Sequence, residues 1–272
     1  MDAHVTQFLD EVSRWAAERP DVRAAILLGS QARRDTPADP ASDVDVTLFV
    51  DEPASYLDDV TWIRHFGEPF LSFREPTAVG GFEEQRVLFR DGLEVDFAIV
   101  PAAVAAEIPP EADAVFARGF RVLHDDGLGF VEREPSSIDT PPPTQEQFDQ
   151  LVNDFWYHLL WSAKKLWRGE MLVAKQACDG WLTGRLVELA RWRSQEPDTW
   201  HGSRFFERWA GDELVEALGP TFAAYDAEDI ARALRAKAEL FGKVEDDVAA
   251  RYGLAVPEDR PEVLRRLETM LD

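Results

Sequence analysis

The sequence predicts an α+β chain, with a mixed sheet flanked by helices in its N-terminal part and an all-α C-terminal part. Three observations carry this expectation. Up to about residue 100 the apolar residues fall in short runs and in period-two alternation, the strand pattern. After residue 144 they recur at helical spacing over long stretches. Seven of the nine Trp (Trp156, Trp161, Trp167, Trp181, Trp192, Trp200 and Trp209) lie in that second part, which marks it as a separate, aromatic-rich region.

Taken in order, residues 4–18 place Val5, Phe8, Leu9, Val12, Trp15 and Ala16 at helical spacing, and Pro20 closes that helix. Ala24 to Leu28 form a short apolar run ended by Gly29, and Val44 to Val50 open as strict alternation. Arg86–Arg90 and Leu93–Val100 flank Asp91-Gly92, a strong hairpin signal, so the first part holds about four or five strands. Residues 125–144 are rich in Pro, Gly, Ser and acids and lack any period. The expected organisation is a domain over 1–130, a linker over 131–144 and a helical domain over 145–272. Helical patterns cover about 145–168, 170–194, 227–252 and 260–271. In the first of these, Val152, Phe155, Trp156, Leu159, Leu160, Ala163, Leu166 and Trp167 share an apolar side. Asp154, Tyr157, His158, Trp161, Lys164, Lys165 and Arg168 share the other: an ordinary solvated face, or a binding wall with an acid at one end and cations at the other.

Composition narrows the function. The 272 residues carry 29 Lys+Arg against 52 Asp+Glu, a net charge of −23, which argues against a phosphate-backbone-binding surface and so against nucleic acid. The same charge suits a cationic small molecule steered to an acidic cleft, or simply the solubility of an acidic protein. At 45% hydrophobic and 30% charged the chain is globular rather than disordered. A single cysteine, Cys178, set in an apolar helical pattern, excludes an internal disulfide framework and reads as a small buried hydrophobe. No apolar run of about 18 residues exists, and the N-terminus lacks a basic-then-apolar leader, so the expected location is the cytoplasm, away from membranes.

The chemistry-bearing stretch is residues 27–50, LLGSQARRDTPADPASDVDVTLFV. A strand ends at Gly29-Ser30, a basic turn (Gln31–Arg34) follows, and the next strand opens with Asp43-Val44-Asp45. Strand alternation puts Asp43 and Asp45 on one face, about 7 Å apart along the strand. Two carboxylates so placed can clamp a pair of hard cations. Asp96 stands mid-strand in LEVDFAIV, where an unpaired acid is costly to bury. Three acids converging on one sheet face repel each other unless a divalent metal neutralises them. Gly29 lets the backbone approach a phosphate, and Ser30 offers a hydroxyl beside the N–H groups that follow. No GxxxxGK[ST] or GxGxxG motif follows a strand.

With these residues the chain resembles the DNA-polymerase-β-like nucleotidyltransferases, whose G-S…D-x-D…D signature matches Gly29-Ser30, Asp43-Val44-Asp45 and Asp96. It is similar, within them, to the aminoglycoside 6-adenylyltransferase (streptomycin adenylyltransferase) family. Trp62–Gly67 resembles that family's W-L…F-G element, and Asn153–Trp156 with Lys164–Glu170 resembles its N-E-F-W…K-G-L-W-R-x-E helix. Arg204–Trp209 resembles its K-[YF]-[LI]-E-R-Y block, so the likeness runs in order from about residue 5 to 255. The chain departs from the family pattern at Asp154, which replaces a Glu, at Trp200-His201, which replace a Gly-Lys, and at Arg204, which replaces a Lys.

The resemblance implies a polymerase-β-like catalytic domain followed by a helical substrate-binding domain, acting as monomer or homodimer. It implies Mg²⁺-dependent transfer of AMP from ATP to a hydroxyl of a streptomycin-type aminoglycoside, releasing pyrophosphate and conferring antibiotic resistance. Asp43 and Asp45 then hold two Mg²⁺, while Asp96 binds the catalytic one and helps deprotonate the attacking hydroxyl. Gly29 and Ser30 cradle the β- and γ-phosphates, and Lys164 and Arg204 are cationic partners of the triphosphate. Asp154 is the general base or a ligand of the acceptor's ammonium groups. A lincosamide or another small hydroxylated acceptor is the alternative. An antitoxin-like minimal nucleotidyltransferase fits less well, because Arg193 and His201, with seven residues between them, miss the spacing of the partner nuclease motif.

Overall fold

An amphipathic helix opens the chain. α1 (Ala3–Ala17) is capped by Asp2, whose carboxylate accepts from the His4 N–H at 2.7 Å, and it buries the six apolar residues that define its period. The computed structural model describes residues 2–33, 38–106, 115–132, 141–194, 196, 199 and 202–272. Most of the expected linker (133–140), Arg34 of the basic turn, and Trp200-His201 lie outside the described residues. The chain forms two compact units, Met1–Ile138 and Asp139–Asp272.

The first unit is built on a six-stranded mixed sheet: β1 (Val22–Leu28), β2 (Val44–Val50), β3 (Pro69–Pro76), β4 (Glu83–Phe89), β5 (Glu94–Pro101) and β6 (Arg121–Asp125). Their order is β3-β4-β5-β2-β1-β6. Only the central pair β2·β5 is parallel; the other neighbours run antiparallel. Six strands exceed the four or five expected, and β3 and β6 are the two that no sequence pattern marked. Both are edges: β3 is exposed along most of its length and so shows no alternation, and β6 is five half-buried residues. Central strands read instead as apolar runs because both faces are covered. On one face α1 packs with Tyr56, Ile63 and Phe97; on the other, Ile26, Phe49 and Val100 meet Phe116 and Phe120. Two short helices, α2 (Gly29–Ala32) and α3 (Pro53–Leu57), follow β1 and β2.

The second unit is all helical. α4 (Gln145–Trp167) starts in a capping box between Thr144 and Gln147. α5 (Met171–Gln176) passes through a π-helical segment (Ala177–Leu182) into α6 (Thr183–Arg193). α7 (Phe206–Trp209) and α8 (Asp212–Leu218) are short; α9 (Ala227–Tyr252) and α10 (Arg260–Leu271) close the unit. Phe155 of α4 stacks on Phe241 of α9 with ring centroids 3.5 Å apart, at the centre of an apolar core drawn from α4, α6 and α9. One residue of the expected apolar side departs from it: Trp167, the last residue of α4, is 75% exposed, because the helix ends there. Cys178 is free and fully buried, and burial pushes its thiol up to about 11. Among the described residues no helix is long and apolar enough to cross a membrane.

Candidate active site

The parallel pairing of β2 with β5 sets Asp45 directly beside Asp96, so both side chains leave the same face of the sheet. Asp43, two residues before Asp45, joins them. One oxygen from each of the three carboxylates lies within 4.8 Å of the others. An all-carboxylate donor set of this size fits a hard divalent cation such as Mg²⁺, and the absence of His or Cys among the three donors disfavours zinc.

β1 delivers the neighbouring backbone. Its last residue, Leu28, pairs with Asp45, and the chain then turns into α2. Gly29 at that turn has φ +65°, and a Cβ built on it would stand 1.7 Å from Asp45 Oδ2. Glycine is therefore required twice, for the backbone angle and for the space. The Ser30 hydroxyl next to it is buried with no hydrogen-bond partner. A buried hydroxyl left unmatched is costly unless a ligand completes it.

A basic residue stands on the same face. Arg86 of β4 is in register with Asp96 and reaches its Oδ2 from Nη2 at 3.3 Å. Arg86 Nε is held by Glu75 at 2.5 Å and Glu84 at 2.9 Å. Burial pushes the Asp96 carboxyl up to about 7; Arg86 pulls it back, while Glu84, Asp45 and Asp43 add to the rise. The sequence holds a signal for Arg86: a hairpin centred on Asp91 sets residues 86 and 96 opposite each other.

The remaining expected residues lie in the second unit. Asp154 of α4 is already engaged: Oδ1 meets His158 Nδ1 at 2.5 Å and Oδ2 meets Arg185 Nη1 at 3.5 Å. Arg185 of α6 also pairs with Glu188 at 3.2 Å and lies over the Trp181 ring at 5.2 Å. Lys164 is exposed and ten residues from Asp154, about 15 Å along the helix. Its neighbour Lys165 donates to Glu170 at 2.7 Å and lies over Trp161. Arg204 is exposed and, with Arg208, flanks the ring of Phe205, the one non-glycine residue of positive φ among those described. Thus Gly29, Ser30, Asp43, Asp45 and Asp96 converge, whereas Asp154, Lys164 and Arg204 do not form one cluster. Arg185 and Trp181 carry no local motif, because only the packing of α6 and of the π-helical segment before it on α4 brings Arg185 to Asp154 and Trp181 to within 5.1 Å of the His158 ring.

Comparison with known proteins gives a consistent result. An aminoglycoside 6-adenylyltransferase of Campylobacter jejuni is 25% identical over 262 residues, 91% of this chain and 89% of the relative. One of Bacillus subtilis (strain 168) is 22% identical over 271 residues, 93% of this chain and 92% of the relative. The crystal structure of an aminoglycoside 6-adenyltransferase from Bacillus subtilis aligns over 99% of both chains, with 17% identity and a TM-score of 0.45. The model of the family described as streptomycin adenylyltransferase matches residues 4–269. The chain therefore belongs to the streptomycin adenylyltransferase family, and by that membership it is a nucleotidyltransferase.

Proposed function

We propose that this enzyme transfers AMP from ATP to a hydroxyl of a streptomycin-type aminoglycoside, with release of pyrophosphate. The observation that carries the proposal is the convergence of Asp43, Asp45 and Asp96 within 4.8 Å, beside Gly29 and the unpartnered Ser30 hydroxyl. Names of the relatives supply the acceptor class. Asp43, Asp45 and Asp96 would hold Mg²⁺, which when bound would supply charge neutralisation at the phosphoryl group being transferred.

The chain's own residues do the rest. Gly29, having no side chain, leaves room for the triphosphate, and Ser30 Oγ donates to a phosphate oxygen. Lys164 and Arg204 are assigned as further cations for the triphosphate. Asp96, whose basicity burial raises, takes the proton of the attacking hydroxyl as its oxygen bonds to the α-phosphorus. The bond from that phosphorus to the pyrophosphate oxygen breaks in line. Asp154 serves as a ligand of an acceptor ammonium group rather than as the base, since an imidazole and a guanidinium already face its carboxylate. Catalysis rests on positioning and charge neutralisation.

The test is pyrophosphate release from ATP and Mg²⁺ over a panel of aminoglycosides and lincosamides, with the adducts identified by mass. Release with streptomycin and an AMP adduct of the drug is expected. Turnover of a lincosamide alone, or of no aminoglycoside, overturns the acceptor assignment.

A further inference from the structure

His158 is built into the helical unit in a way that the transfer reaction does not itself require. Its Nδ1 lies 2.5 Å from Asp154 Oδ1 and 2.9 Å from the Asp154 carbonyl oxygen one turn back. Both neighbours of Nδ1 are acceptors, so that nitrogen carries a proton, and the charge of the ring is decided at Nε2. The ring lies 5.1 Å from that of Trp181 and 6.3 Å from that of Trp161. The titratable and charged groups around it are Asp154, Tyr157 and Lys165 on α4, and Arg185 and Glu188 on α6. Lys165 is matched by Glu170. With imidazole neutral, Asp154 and Glu188 outnumber Arg185 and leave one net negative charge; with imidazolium the cluster is neutral.

We propose that His158 and Arg185 are internal counter-cations of Asp154, and that a cationic acceptor takes the place of His158 on that carboxylate. An ammonium arriving at Asp154 Oδ1 displaces only the Nδ1–H hydrogen bond of a neutral imidazole, whereas against an imidazolium it must also overcome a full positive charge. Binding therefore disfavours the imidazolium and drives the Nε2 proton off to solvent, so affinity rises with pH. Trp161 and Trp181 supply apolar and cation-binding ring faces for the rest of the acceptor. His158 is thus a specificity-determining residue: it favours ligands that offer a cation over neutral ones, and more strongly as pH rises. The inference rests on the assignment of Asp154 as an ammonium ligand.

Calorimetric titration of the full chain with streptomycin, at pH 5.5 to 8.5 and in two buffers of different ionisation enthalpy, tests it. The variant His158→Asn keeps a donor toward Asp154 and removes the titration. The ligand's own amine titrates alike in both proteins, so the difference between them isolates His158. At low pH the wild type is expected to release up to about one proton more per ligand than the variant. Its affinity is expected to rise up to about tenfold per pH unit where His158→Asn stays nearly flat. In turnover the change appears in KM and its pH profile, with kcat kept. Equal proton release by the two proteins overturns the inference. So does a fall in kcat at unchanged KM, which marks His158 as a proton acceptor in the reaction. Unchanged affinity in Asp154→Asn overturns it as well. If the wild type binds no streptomycin at any pH, the acceptor assignment itself has failed, and that outcome is separate because it is read before any variant.

Discussion

Each of the substitutions Asp43→Asn, Asp45→Asn and Asp96→Asn keeps side-chain volume and removes one charge from a cluster that repels itself. All three are expected to reduce transfer by about a thousandfold or more at saturating Mg²⁺, as loss of metal-assisted charge neutralisation does. Stability without metal should move the other way for Asp96→Asn. The folded carboxyl titrates at about 7 against an ordinary value of 3.8, so between those pH values the folded state holds the extra proton. Stability of the wild type therefore falls as pH rises from about 4 to about 7 and stays low above it. Asp96→Asn escapes that loss. Partial solvent exposure and the lost attraction to Arg86 reduce the gain to about 1–2 kcal/mol at pH 8, with none at pH 4. Urea unfolding of the metal-free proteins at the two pH values checks this, and a less stable Asp96→Asn at pH 8 counts against the repulsive cluster. Gly29→Ala places a methyl on Asp45 at φ +65° and is expected to cost about 1–2 kcal/mol and at least about a hundredfold in kcat/KM. At this scale the sequence was most informative. A glycine at a strand end and acids alternating on a strand are local patterns, and the Asp45–Asp96 pairing needs only one parallel register. Arg86 was less visible because its role depends on which strand lies beside β5, and a hairpin rule is needed to supply that neighbour.

Elements were legible in proportion to their length and to the sidedness of their burial. α9 and α10 bury one stripe each, so period alone located them at 227–252 and 260–271. The edge strands β3 and β6 have no such stripe, and the π-helical segment Ala177–Leu182 has no compositional signature at all. What holds that segment is visible only in three dimensions. A π turn shifts the helical hydrogen-bond ladder. Lys237 of α9, fully buried, donates to the Cys178 carbonyl at 2.6 Å and to Thr183 Oγ1 at 2.5 Å, and its ammonium lies over the Phe222 ring. Burial lowers the Lys237 pKa, with Cys178 and Asp179 opposing. Folded-state stability from this group accordingly improves as pH rises toward the ordinary lysine range. Lys237→Met fills the same volume without a donor, and an unmatched buried carbonyl costs about 1–3 kcal/mol. Lys237→Ala adds a cavity and should cost more, about 3–5 kcal/mol. Thermal unfolding of both variants separates the two contributions. A Lys237→Met protein more stable than wild type means that desolvation of the ammonium outweighs its two hydrogen bonds.

Over the whole molecule the net charge of −23 acts on folding and on binding with opposite sign. Among the described residues most ion pairs are between partly or largely exposed side chains, such as Arg235–Glu268 and Arg266–Glu262, and pairs of that kind contribute little. Repulsion among the excess acids is the larger whole-chain electrostatic effect, and it destabilises the compact state. Salt screens it: the Debye length falls from about 30 Å at 0.01 M to about 8 Å at 0.15 M. The midpoint of thermal unfolding should therefore rise by about 2–5 °C over that range. A polycationic acceptor is attracted by the same field and by Asp154 and Glu188, so its affinity should fall by about tenfold or more over the same range. Scanning fluorimetry and calorimetry with streptomycin, run in one NaCl series without ATP, measure the two trends on the same samples. The pairing of signs is what discriminates. If both rise, the acceptor is held by apolar and ring contacts rather than by charge. If both fall, ion pairs stabilise the fold more than the excess acids strain it. A neutral polyhydroxylated compound without amines, titrated in the same series, should show the rise in midpoint with any affinity nearly constant.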